Sequence, residues 1–581
     1  MFSFKCLFVL FINMGKKTFI HLVILSFLIF INLKDAKASI FLSKESLLNS
    51  SDYISNYLKG ALSEKNNNYF QSKNYFAKTK KLSSEHLEYS RQYVSSLVLN
   101  EKISDAFTYI QSLDQAAQEN YLFNLVQSIF LIKNGNYLQA KKILRYPEDN
   151  KNLNDELLSY IHLWLDTSFS KKQESILKIE QFKSNFQNIK LIQSMLIYDY
   201  LDFKDLYKQK ANLVLNQQQL GRYHYFHVVH LLKNNNFIAA KKIIKKQLDY
   251  NASNLLIKQS FIELENKNIN FFINSFDSRN IDNGLSELFY LFANLMQQQE
   301  NLELSKLYFS ISHYLNPDFS SNYVLKFENY LIENNSDALE LATKISSIGS
   351  EFEWYANYQL LTHPTILNES KKQIILQKLE NEIKKIKFFK FSKTMNLANY
   401  HRSKKNYDIA LSLYKDIEGI KDIDRVDWRY YYFRGICNER LGNWIESESD
   451  LLKSISLSPK QYTVINYLAY SWLERKTNIL KAKKMLEEAV SLSQWEHGYI
   501  IDSLGWAYFL LEDYTKAEKL LQLAYEKTPY EFEVYDHYGD VLWKNNKKIQ
   551  ARYVWKKAIK LDGVEKEKID KLNQKFLDGI N

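Results

Sequence analysis

Between residues 391 and 563 the apolar positions recur at helical spacing, and the helical pattern itself repeats. In residues 498–531, Ile501, Leu504, Gly505 and Tyr508 share one face of a first helix. Tyr514, Ala517, Leu521 and Ala524 share one face of a second, and Pro529 ends it. Small residues are needed where two helices cross closely, which places Gly505 and Ala517 at the crossing. Ala482, Ala517 and Ala551 are equivalent, spaced 35 and 34 apart, as are Leu486, Leu521 and Trp555. Gly505 and Gly539 lie 34 apart. A period in this range predicts helical hairpins stacked into a solenoid.

The same scheme predicts hairpins over 391–424 (Leu397, Ala398, Tyr407, Ala410, Tyr414), 428–461 (Gly435, Gly442, Trp444, Leu451, Pro459), 463–497 (Ala469, Ala482, Leu486, Ala489) and 532–563 (Tyr535, Gly539, Ala551, Trp555, Ala558). A polar helix over 564–581 is the expected cap. Towards the amino terminus the signal fades. Residues 286–319 keep Phe289, Ala293, Leu302, Ser305, Phe309 and Pro317 at the same offsets, and Tyr69/Ser72/Phe76, Tyr137/Ala140/Leu144 and Phe237/Ala240/Ile244 keep an aromatic, a small and an apolar residue in order. Residues 39–390 are therefore expected to be divergent hairpins, poorest over 320–390, in one continuous superhelix without a linker.

These residues resemble the tetratricopeptide repeat. The run Asp502-Ser503-Leu504-Gly505-Trp506-Ala507-Tyr508, followed by Asp513-Tyr514 and Ala517, matches that family closely. Asn466 to Trp472, with Trp543, Arg552 and Trp555, is similar to exported proteobacterial members over residues 425–563. The resemblance implies an all-α superhelix that binds protein or peptide partners along a concave face lined by the first helix of each hairpin.

Composition agrees with helices: 14 Gly and 5 Pro in 581 residues are too few for the turns of a large sheet protein. The net charge of +11 accompanies inflated Lys, Asn, Ile, Tyr and Phe, the pattern an AT-rich genome writes onto any fold. Residues 1–38 read as an export signal, with Lys16-Lys17, an apolar core Phe19 to Leu33, and cleavage after Ala38 in Ala36-Lys37-Ala38. Translation is expected to start at Met14. The expected location is the periplasm, with no membrane span after signal removal. Cys437 would then be the single thiol, unable to form an internal disulfide.

No glycine-rich phosphate loop, paired-histidine metal helix or nucleophile elbow occurs, so neither catalysis nor a cofactor or metal is expected. Trp495-Glu496-His497-Gly498 reads as a polar connector, and Asp536 and His537, adjacent on a helix, point apart. The basic run Lys384-Lys385-Ile386-Lys387-Phe388-Phe389-Lys390 could grip an anion, but Ile383, Ile386 and Phe389 fall at helical spacing and read as core-facing. The doubled lysines at 141–142, 241–242 and 483–484 read as an outer face.

Counting from the helix crossings, the groove candidates are Arg429, Tyr432, Ile436 and Glu439, then Tyr499, Asp502, Trp506 and Phe509, then Glu533, Asp536, Asp540 and Trp543. Aromatics mixed with carboxylates suit a peptide with apolar anchors and some positive charge. Asp502 and Asp536 stand where a chaperone-binding clamp would need Lys and Asn. The expectation is a non-catalytic adaptor of the bacterial cell envelope, without nucleic acid as partner. The chain looks like adaptors that bring substrates to an envelope carboxyl-terminal-processing protease, although it lacks the cysteine for their lipid anchor. A scaffold for cell-wall or polysaccharide assembly is the alternative, and an enzyme domain within 39–390 would need strands or converging polar groups there.

Overall fold

A computed structural model describes residues 44–580 except 67, 81–86, 115–117, 119, 145–152, 320 and 419–426. The export segment 1–38 lies outside the described residues. Those described form 31 α-helices and no strand, in the 39–390 stretch as elsewhere. None of these helices is long and apolar enough to cross a membrane.

The carboxy-terminal array consists of α1 (Lys390–Ser403), α2 (Tyr407–Ile417), α3 (Trp428–Arg440), α4 (Trp444–Leu457), α5 (Tyr462–Glu474), α6 (Ile479–Leu492), α7 (Gly498–Leu510), α8 (Tyr514–Lys527), α9 (Phe532–Lys544), α10 (Lys548–Ala558) and α11 (Lys566–Asp578). Odd and even helices pair as hairpins up to α10. Their crossings are as close as the repeat requires. A Cβ on Gly505 would stand 2.7 Å from Cγ of Leu521, one on Gly435 3.1 Å from Cγ of Leu451, and one on Gly539 would fall inside the Trp555 indole. Ala482, Ala489, Ala517, Ala524, Ala551 and Ala558 are fully buried on the second helices.

One turn geometry joins both helices in each array hairpin. Lys405, Gly442, Lys476, Glu512 and Asn546 are left-handed, with φ between 53° and 81°. The next N–H reaches back five residues, as in Asn406 to the His401 carbonyl (2.9 Å) and Asp513 to the Tyr508 carbonyl (3.0 Å). That closure satisfies carbonyls the helix end would leave open. It recurs in the divergent stretch after Glu101, Gly135, Asp202, Asn235, Lys267, Glu300 and Asn334. Glycine occupies only two of these twelve turns, which is why a search for turn glycines overlooks most of them.

By packing, the chain falls into two compact units. Unit 1 joins residues up to 185 with the segment 285–316, and unit 2 holds 186–284 and 317–581. The hairpin arm Leu302–Leu315 lies back on the first helices of unit 1. The Lys306 ammonium donates to the Tyr69 hydroxyl (3.2 Å), Lys133 to the Leu315 carbonyl (2.6 Å), and the Tyr308 hydroxyl to Asn154 (2.9 Å). The chain thus passes between the units three times.

Helix Glu369–Ile383 ends where the sequence pattern continues. Lys384 to Phe389 form a loop, and Phe389 takes a left-handed conformation (φ 56°). Helical spacing of Ile383, Ile386 and Phe389 was therefore misleading: Phe389 is buried through a turn and not through a helix face.

Candidate functional site

The expected groove is built by α3, α5, α7 and α9, each touching the next first helix. Its carboxylates are not free. Glu439 on α3 accepts from the Tyr467 hydroxyl on α5 (3.1 Å) and from Arg475 just after it (3.1 Å), and the Arg475 guanidinium also lies 4.0 Å over the Trp444 ring. Asp502 on α7 is 4% exposed and pairs with His537 on α9 at 2.9 Å. Asp536 and Asp540 on α9 take Lys575 of α11 at 2.6 and 2.8 Å, and Glu533 takes Lys568. The pairs are separated by 35, 36 or 39 residues, about one repeat. An acid on one first helix is held by a base one unit further on, with α11 standing in for the missing next unit.

Burial shapes the electrostatics of this ladder. For His537 burial opposes the charge, yet Asp502 beside it, with Asp536 and Asp540 behind, lifts the imidazole to about 9. The ring is a cation at neutral pH. Burial, reinforced by Asp536, pushes Asp540 up to about 6 against the pull of Lys575. Removing one partner of such a buried pair would leave the other charge uncompensated, which is costly.

The aromatic candidates are placed differently. Tyr432 is half-buried and meets Tyr467 edge-on at 5.9 Å. Tyr499 is 44% exposed. Trp506, half-buried, stacks between His537 (4.1 Å) and Phe509 (4.6 Å). A neutral indole face over an imidazolium is a favourable cation–π arrangement. Trp543 lies against Trp555 at 5.6 Å, where the Gly579 backbone passes so closely that a Cβ there would enter the indole. Arg552 donates to the carbonyls of Phe576 (3.0 Å) and Leu577 (3.3 Å), so Trp543 and α10 seat the cap. Arg429 is exposed and paired with Asp427 at 2.9 Å, and Ile436 is half-buried. Tyr467, Arg475, His537, Lys568 and Lys575 were missed by counting from crossings. Adding 35 to Asp502, Glu533 and Asp540 would have found His537, Lys568 and Lys575, whereas Glu439 and Asp536 reach partners 36 and 39 residues on.

The remaining sequence candidates have structural positions. His497 hydrogen-bonds the Tyr462 hydroxyl (3.1 Å) in a connector where Gln494 and Trp495 are both left-handed. Asp536 and His537 do point apart, to Lys575 and Asp502. Cys437 is buried, and burial pushes its thiol up to about 12. In two doubled lysines the first member bridges to the next hairpin, Lys141 to Asp166 and Lys241 to Glu265 (2.7 Å), while the second faces solvent. In unit 2, a cleft of ≈420 Å³ is lined by Asp199, His230, Tyr207 and His227 among others. Burial and His230 hold His227 down at about 4. Both His230 Nδ1 (2.8 Å) and the Ser278 hydroxyl bond Asp199, so the serine faces the carboxylate and not an imidazole, unlike a nucleophile–base–carboxylate relay.

Comparison with known proteins follows the repeat. The chain is 29% identical over 123 residues to TPR repeat-containing protein PA4667 of Pseudomonas aeruginosa, covering 21% of this chain and 20% of that protein. It is 27% identical over 134 residues to cell division cycle protein 27 homolog A of Arabidopsis thaliana, covering 23% and 18%. Over these residues the chain is similar to tetratricopeptide-repeat proteins, and its helical hairpins are of that type. It spans about a fifth of the length of the curated relatives it matches. Solved tetratricopeptide structures are similar to parts of it. MamA of Desulfovibrio magneticus is 20% identical, covering 30% of this chain and 94% of that one with a TM-score of 0.26. TTC0263 of Thermus thermophilus is 16% identical, covering 32% and 99% with a TM-score of 0.28. No family model matches the chain.

Proposed function

We propose that this protein of tetratricopeptide-type hairpins is a non-catalytic scaffold or adaptor of the bacterial cell envelope, taking a peptide or protein partner along the first-helix face of α3 to α7. The observation that carries this reading is the contrast within that face. Its carboxylates are matched internally at one-repeat spacing, while the aromatics Tyr432, Tyr499 and Trp506 keep part of their surface open. A surface whose charges are spent and whose aromatics are presented favours apolar anchors on the partner, with charge as a secondary term. Export is supported by the basic, apolar and Ala-x-Ala pattern of residues 1–38. An envelope protease or assembly factor is the expected partner class.

The test is in-cell crosslinking of the tagged chain followed by mass spectrometry, comparing wild type with Tyr432→Ala/Tyr499→Ala. One dominant envelope protein, lost in the double variant, is the expected result. A capture pattern unchanged by the two substitutions overturns the groove assignment, and a glycan in place of a protein favours the cell-wall scaffold.

A further inference from the structure

The basic run at 384–390 is not absorbed by the groove. As a loop it leaves Lys384, Lys385 and Lys387 exposed, and among the described residues Lys385 and Lys387 make no ion pair. Its shape is imposed from beneath. Phe389 is fully buried and left-handed, a conformation costly for a bulky residue and tolerated where the surroundings over-determine it. Those surroundings are the Phe261 ring at 6.0 Å, the Lys258 ammonium 4.7 Å from the Phe389 ring centre, and Ser392, which accepts from Lys258 (3.0 Å) and donates to the Phe389 carbonyl (3.2 Å). Phe388 packs edge-on against Phe261 at 5.5 Å and is partly exposed.

Under the loop lies a cleft of ≈710 Å³, the right scale for a short peptide segment. Its floor is a charge network: Lys393 and Glu351, both nearly fully buried, pair at 2.7 Å, and Lys378 pairs with Glu353 at 2.6 Å. Glu382 stands 3.8 Å from Lys393. The cleft therefore has the ammonium groups of Lys385 and Lys387 at its rim, carboxylates matched by Lys378 and Lys393 within, and Ile262, Ile386 and Phe388 as apolar wall.

We propose that this cleft is a second docking site, one that takes an extended acidic peptide segment. The peptide carboxylates meet Lys385 and Lys387, an apolar side chain rests on Phe388 and Ile262, and main-chain N–H groups face Glu353 and Glu382. Rim and floor of opposite sign suit a peptide, whose backbone carries donors between its charged side chains. A phosphate polyanion would set negative charge against the floor carboxylates. A membrane would need fully exposed apolar groups, and here Ile262 is buried while Ile386 and Phe388 are only partly exposed. This site stands independently of the first-helix groove.

The test is fluorescence anisotropy of the full chain with two labelled decapeptides, one alternating Glu and Leu, the other Lys and Leu. The acidic peptide binds, the basic one does not at this site, and Lys385→Glu/Lys387→Glu weakens the acidic peptide by about tenfold or more. Because both lysines are exposed loop residues, the helical circular dichroism should be unchanged. The Tyr432→Ala/Tyr499→Ala variant retains acidic-peptide binding, which separates this site from the groove. Equal binding by the charge-reversed variant overturns the proposal. So does failure of the acidic peptide while a single-stranded oligonucleotide or phosphatidylglycerol vesicles bind and are lost on reversal.

Discussion

Within its hairpins the array crosses helices mostly at glycine and alanine, with Ser447 and Ser454 of α4 as exceptions, whereas unit 1 often does so at serine. In the array, Gly505 faces Leu521 and Gly539 faces Trp555, so the missing Cβ makes room for a large apolar partner. In unit 1, Ser286 and Ser312 each donate to the other's carbonyl at 2.7 Å, Ser128 bonds the Ala140 carbonyl (3.2 Å), and Ser90 bonds the Tyr109 hydroxyl (2.9 Å). A buried hydroxyl is tolerated because each finds a partner across the crossing. The array gains dispersion contacts from close packing, and unit 1 adds directional bonds across its crossings. The two regions also differ in how neighbours are held: repeat-length ion pairs in the array, and a returning hairpin in unit 1.

Exchanging the devices should break this contrast. The largest effect is expected for Gly539→Ser, which gives the array the residue that unit 1 uses. The new Cβ displaces the Trp555 ring, costing about 3 kcal/mol, read as faster amide exchange in α9 and α10. Next comes pH. His537 is raised from 6.5 to about 9 by burial outweighed by Asp502, so its stabilising contribution is complete below pH 6.5 and disappears as pH climbs through 9. The difference in unfolding free energy between wild type and His537→Gln, read by urea titration, is about 3 kcal/mol at pH 6 by linkage and should close by pH 10.

Ser286→Ala keeps a small residue at its crossing and removes one reciprocal bond. The expected loss is about 1 kcal/mol, confined to unit 1 in amide exchange. Glu512→Gly should act in the opposite direction. Its left-handed φ of 62° favours glycine, giving a gain of about 0.5 kcal/mol in the unfolding of the α7–α8 hairpin. A loss there would mean that the Glu512 side chain holds the turn by some other contact.

This comparison also explains what the sequence made legible. The array hairpins were readable because Gly, Ala and Pro mark crossings and ends directly. Unit 1 was readable only in outline, since a serine at a crossing looks polar until its partner is known, and Glu101 or Glu300 at a left-handed turn carries no turn signature. The usable local signal was the residue that follows: Asn236 and Asn301 each cap the helix that comes next, directly before a phenylalanine or leucine. The return of 285–316 onto unit 1 depends on contacts such as Lys306 to Tyr69, 237 residues apart, which no local pattern encodes. In the candidate groove the aromatics were readable from helix phase. The pairing of its acids required knowing that a 35-residue offset brings side chains face to face.

The central claim is that partners approach the first-helix face of α3 to α7. A photoreactive amino acid placed in turn at Tyr432 and Tyr499, and at the second-helix positions Ile445 and Ile549, tests it in cells. Ile445 and Ile549 are 81% and 86% exposed, so they offer easier access to any chance encounter. Crosslinks to one shared partner from Tyr432 and Tyr499, and none from Ile445 or Ile549, are the predicted result. The same partner crosslinked from the second-helix positions, with silence at the first-helix face, would contradict the account.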